Sequence, residues 1–100
     1  MMIQLNSNGY VPSAKTMAIE QLPDYLQCML ERMAENVHEA WAYQKMSEGW
    51  TFGKANDRLR KKHPSLRPYA QLDESQKDFD RSTALAILGF LMSEGYVVTK

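Results

Sequence analysis

The apolar positions fall into two long helical stripes, separated by a polar middle punctuated with glycine and proline. Leu22, Leu26, Met29, Leu30, Met33, Val37 and Trp41 recur mostly in steps of three and four, the spacing of one helix face. Glu31, Arg32, Glu35, Glu39 and Gln44 fall mostly on the other side. Pro23 suits a first helical turn, where its missing N–H costs nothing, and Asp24 suits the positive end of the helix dipole. Gly49 is a plausible stop, so the first helix is expected over residues 24–47. Phe79, Thr83, Ala86, Ile87, Phe90 and Leu91 form the second stripe, widened by Leu85, Leu88 and Met92. Asp73 opens that helix, with Gln76 three positions on as in a capping box, and Gly95 closes it at C′. Leu72 is expected to staple against the Lys77 methylenes or Phe79.

The remaining segments read as short elements. Gly49-Trp50-Thr51-Phe52-Gly53 predicts a turn with its rings tucked onto the core. Residues 56–62 predict a short helix capped by Asn56 and ended by His63-Pro64. Pro64 and Pro68 make 63–72 a stiff connector, anchored by Leu66, Tyr69 and Leu72. Residues 1–21 read as an extended arm with a short strand at Tyr10-Val11. Tyr96-Val97-Val98 reads as a strand pairing with Tyr10-Val11 or with the Trp50–Phe52 turn. The expected fold is mainly α: two long helices packed with one or two short helices and minor short β-strands. One hundred residues make one domain at most, with 1–9 a flexible arm and 10–98 the domain proper.

Composition narrows the class. Apolar residues at 44% and charged residues at 24% argue against disorder. The longest apolar run, from Ala84 to Met92, is half the roughly 18 residues of a bilayer span. The N-terminus shows no signal-peptide pattern. A single cysteine, Cys28, leaves no internal disulfide and no Cys-rich zinc site. A reducing, cytoplasmic location is the expectation.

Charge changes the picture because its zero total is unevenly spread. Residues 1–53 carry three cations against six acids, net −3. Residues 68–100 carry three against five, net −2. Between them Lys54, Arg58, Arg60, Lys61, Lys62 and Arg67 face only Asp57, net +5. That segment is either a solvated connection or a loop that meets an anion.

Catalytic motifs are missing. Glu35-x-x-His38 has the spacing of a carboxylate–histidine metal pair, but a second copy is absent. Asn36 and His38 read instead as partly buried polar groups tying the first helix to the connector. His63 has no nucleophile or orienting acid in a recognisable arrangement, and neither Gly49 nor Gly53 begins a phosphate loop. Met29 and Met33 read as gap-filling core residues, Trp50 as core, and Trp41 as half-buried. An aromatic face beside a basic segment can hold a base, with Arg or His on phosphates.

One pattern is more specific than periodicity. Glu35-Asn36-Val37-His38-Glu39-x-Trp41-Ala42 is followed by Gly49-Trp50-Thr51-Phe52-Gly53, Asp57 and His63-Pro64-x-Leu66-x-Pro68-Tyr69. Leu72-x-Glu74-x-x-Lys77-x-x-Asp80-Arg81 and Gly95-Tyr96 complete it, with Tyr10-Val11-Pro12 as the usual start. The chain resembles the repeat domain of the ryanodine receptor, the RyR domain, over about residues 10–98. The resemblance implies a compact helical module with short strands, found as tandem pairs on the cytoplasmic periphery of the channels and not as the pore. Stand-alone copies occur in bacterial and phage proteins, and the length suits one, or an excised domain. The resemblance also implies an adenine-nucleotide site between paired repeats. Tryptophans at the position of Trp41 hold the base there, and the Gly-to-His-Pro segment lies near the phosphates. Asn56 stands where a basic residue is common, with Arg58 and Arg60 as substitutes, and Lys54 replaces a frequent proline.

These readings together give a non-catalytic binding or sensing module. Its expected partner is an adenine nucleotide, another small anionic ligand or a protein, and a twofold homodimer would rebuild the paired pocket. The candidate ligand-binding residues are Trp41, His63, Arg58, Arg60 and Asn36, with no catalytic residue, metal or cofactor. The alternative is a nucleic-acid-binding accessory protein using residues 54–67, disfavoured by the segment's shortness and acidic flanks.

Overall fold

The computed structural model describes residues 7–100, so most of the arm expected over 1–9 lies outside the described residues. Two long helices, α2 (Leu30–Ser47) and α3 (Glu74–Ser93), pack against each other. A single turn, α1 (Asp24–Gln27), precedes them, and two two-residue strands, β1 (Thr51–Phe52) and β2 (Lys62–His63), lie between. Short 3-10 turns at Ile19–Gln21 and Tyr69–Gln71 lead into α1 and α3. The fold is mainly α, as the periodicity implies.

The helix expected over 24–47 is broken. Cys28 N–H bonds to Asp24 O at 3.2 Å and Met29 N–H to Leu26 O at 3.0 Å, which tightens the chain before α2 starts. Pro23 sits at the N-cap of α1, one position before its first turn. The helix ends follow their stop signals, because Gly49 (φ +93°) and Gly95 (φ +92°) adopt the left-handed conformation that ends α2 and α3. Asp73 caps α3 by accepting from Gln76 N–H at 3.0 Å. Only half of the capping box forms, because the Gln76 side chain turns away and donates through Nε2 to Ser65 Oγ.

Helix α2 keeps most of its expected stripe inside, whereas α3 buries a face one step round from its own. On α2 the buried residues are Leu30, Ala34 and His38, with Met33, Val37 and Trp41 half-buried and Met29 exposed. On α3 they are Asp80, Ala84, Leu88 and Gly89, whereas Phe79, Ile87, Phe90 and Leu91 are exposed. Ala34 and Ala84 are both buried, and small side chains let the two helices approach. The core has two parts. Leu22, Leu26 and Leu88 form one, flanked by Met17, Ile19, Met33, Leu85, Met92 and Val98. Ala34, Tyr69 and Leu72 form the other, so Leu72 packs on α2.

The short helix expected at 56–62 is replaced by a turned loop. Asp57 and Lys62 exchange backbone hydrogen bonds of 2.9 Å in both directions. The Asp57 carboxylate accepts from Arg60 N–H at 3.2 Å, a local bond that competes with helix formation. The loop aligns β2 parallel to β1, with Thr51 opposite Lys62 and Phe52 opposite His63. No strand forms at Tyr10-Val11 or at Tyr96–Val98, all of which are described residues. The latter segment is held otherwise: the Tyr25 hydroxyl donates to Val98 O and the Val98 side chain joins the first core cluster.

The N-terminal segment crosses α3 at Gly89, where an added Cβ would lie 2.7 Å from both Cα and C of Thr16. Those are backbone atoms and cannot rotate away. Gly89→Ala is therefore expected to destabilise the domain by about 1–3 kcal/mol, read by urea denaturation.

Arg81 clamps the helix pair. Its guanidinium meets Glu31 at 2.6 and 2.9 Å, and also Glu74 at 3.0 Å and Asp78 at 2.6 Å. Tyr69 donates to Glu31 Oε1 at 2.9 Å. Burial first, and then this bond to Glu31, push the Tyr69 hydroxyl up to about 12. The bond from Arg81 holds the Glu31 carboxyl below the ordinary 4.5. A lowered carboxyl stabilises the fold above its unfolded value, and the contribution is lost as pH falls through the lowered folded value. Glu31 is more than half exposed, so the effect is small, up to about 1 kcal/mol. Thermal melts between about pH 6 and pH 3 are expected to show a steeper loss in the wild type than in Glu31→Gln.

Candidate functional site

Helix α2 places His38 and Trp41 one turn apart, and the connector brings His63, Ser65 and the Arg67 carbonyl against them. The opposite wall is α3, with Gln76, Phe79 and Asp80. His38 is 3% exposed, and its Nε2–H donates to Arg67 O at 2.6 Å. That bond sets the tautomer, because a carbonyl can only accept. Nδ1 stands 4.0 Å from Asp80 Oδ2, outside hydrogen-bond range. Burial raises the Asp80 carboxyl above its ordinary 3.8, while the neighbouring His38 pulls it down.

The aromatic rings form one cluster. His38 stacks on Trp41 with centroids 5.7 Å apart, and His63 meets Trp41 edge-on at 4.9 Å. Trp50 lies 6.2 Å from His63, and Lys45 Nζ lies 4.8 Å over the Trp50 ring. Trp50 is half-buried rather than core. His63 Nδ1 accepts from Ser65 N–H at 3.0 Å. Burial, and then the Lys45 charge, hold His63 below its ordinary 6.5. Neutral His63 therefore carries its proton on Nε2 as a donor.

Beside this cluster a cleft of about 390 Å³ opens between α2 and α3, lined by His38, Trp41, Gln76, Phe79 and Asp80 among others. A second groove between the helices, about 720 Å³, has Met29, Met33, Asn36 and Ile87 on its walls.

The structure brings Trp41 and His63 together. It leaves Asn36 exposed in the second groove, away from the Trp41 cleft. Arg58 and Arg60 are exposed on the loop between the strands, and Arg60 pairs with Asp57 at 3.3 Å. Part of the basic charge serves the fold: Lys61 donates to Glu48 O at 2.6 Å and Lys62 to Thr51 Oγ1 at 2.8 Å. Sequence reasoning misses Asp80, Gln76 and Phe79 as cleft residues. A signal for Asp80 exists: it stands four and eight positions before Ala84 and Leu88, a carboxylate on an otherwise apolar helix row.

The family model of the RyR domain matches residues 10–100. The chain belongs to the RyR domain family. Among the described residues no helix is long and apolar enough to cross a membrane.

Proposed function

We propose that this RyR domain protein is a non-catalytic binding module for an adenine nucleotide, with the base on Trp41 and the phosphates toward the basic loop. The observation that carries this reading is the pairing of Trp41 with His63 at a cleft, directly after that loop. A half-exposed indole offers a face for stacking, worth about 1–3 kcal/mol per base. The free Nε2–H of His63 suits a phosphate or ribose oxygen. Lys54 and Arg58 are exposed on the loop and add positive charge. The way the polar side chains are used supports a binding role over catalysis. Each histidine has a ring nitrogen bonded to backbone, and the Cys28 thiol donates to helix carbonyls at an exposed turn.

Calorimetry with ATP, ADP and AMP tests the proposal. Trp41→Ala is expected to weaken binding by about tenfold or more. No heat from any of the three at millimolar ligand overturns the nucleotide reading.

A further inference from the structure

We propose that the Asp80 carboxylate receives the exocyclic amine of the base, so that the cleft selects adenine over its 6-oxo counterpart. This inference rests on the nucleotide reading above and adds to it the group that the site recognises.

Asp80 is 7% exposed, and no described residue donates a hydrogen bond to its carboxylate. His38 bonds through Nε2 to Arg67 O, and its Nδ1 stands 4.0 Å from Asp80 Oδ2, too far to donate to the carboxylate. Gln76 lines the same cleft, and its Oε1 is buried with no partner among the described residues. Buried acceptors without donors are costly, and a carboxylate is the costliest of them. The cleft is thus flanked by indole and phenyl rings and presents the Asp80 carboxylate and Gln76 Oε1 as acceptors without a donor among the described residues.

A flat heterocycle with an amino group supplies what is missing. Its ring lies on Trp41 and its two N–H bonds meet the acceptors. A 6-oxo ring brings a carbonyl oxygen to the same place, where it meets a carboxylate. A site built to accept from an amine rejects the analogue that lacks it.

Binding of ATP and ITP at equal ionic strength, followed by tryptophan fluorescence and calorimetry, tests this on the wild type, Asp80→Asn and Trp41→Ala. The wild type is expected to bind ATP about tenfold to a hundredfold more tightly than ITP, as a hydrogen bond to a charged group implies. The side-chain amide introduced by Asp80→Asn can present either its carbonyl or its N–H. The preference of that variant is therefore expected to shrink to within about threefold. Equal affinity of the wild type for ATP and ITP, with both weakened in Trp41→Ala, overturns the Asp80 assignment and leaves the nucleotide reading standing. An ATP preference that survives in Asp80→Asn also overturns the assignment. Absence of binding by either nucleotide overturns the nucleotide reading itself, and this inference with it. If Asp80→Asn fails to fold by circular dichroism, the wild-type ratio alone decides.

Discussion

His38→Ala is expected to lower the unfolding free energy by about 3–5 kcal/mol. Three losses combine. The 2.6 Å bond to Arg67 O disappears, which leaves a carbonyl of the connector without its donor. Asp80 stays buried without the histidine that faces it. A space opens beside Trp41, whose ring stacks on His38. A domain of this size has about 5–15 kcal/mol in total, so the change threatens the fold at ordinary temperature. The losses are separable. His38→Gln keeps an N–H able to reach Arg67 O and is expected to cost less than alanine. Asp80→Asn in the His38→Ala background removes the unpaired charge and is expected to recover part of the loss. Urea denaturation of the wild type, the two single variants and the double variant gives the coupling. Strict additivity, to within about 0.5 kcal/mol, would mean that His38 and Asp80 act independently.

Why His38 is legible as a tie and Asp80 is not follows from where each stands. His38 sits in the Glu-Asn-Val-His motif, next to Val37 and three positions before Trp41 of the apolar stripe, and an uncharged imidazole-bearing residue there reads as a buried polar tie. Asp80 stands between Phe79 and Arg81, and close to Asp78, so it looks like part of a solvated face. A polar residue in the buried row also conceals that row. With Asp80 set aside, the large side chains Phe79, Ile87, Phe90 and Leu91 outweigh Ala84 and Leu88, although the latter two are buried. The stops at Gly49 and Gly95 and the Asp73 cap are readable because each acts through its own backbone geometry. The loop at 56–62 is not readable, because helix propensity there loses to the Asp57 side chain and to pairing of β2 with β1. The aromatic cluster joins Trp41 to His63 across 22 positions of chain, a tertiary contact between α2 and β2 that no local pattern encodes.

Adjacent residues of α3 give the sharpest test of which face is inside. Leu88→Ala is expected to cost about 2–5 kcal/mol, because Leu88 is 7% exposed and fills the cluster with Leu22 and Leu26. Ile87→Ala removes as many carbons one position away, yet Ile87 is 55% exposed. Its expected cost is below about 1 kcal/mol, and the better helix propensity of alanine offsets part of that. Successive residues on a helix point about 100° apart, so the two variants sample neighbouring faces at almost constant composition. Urea midpoints at equal m-values report the difference directly. A large loss for Ile87→Ala with a small one for Leu88→Ala would turn α3 toward the apolar stripe. That rotation would carry Asp80 out from between the helices, and with it the acceptor on which the proposed base recognition depends.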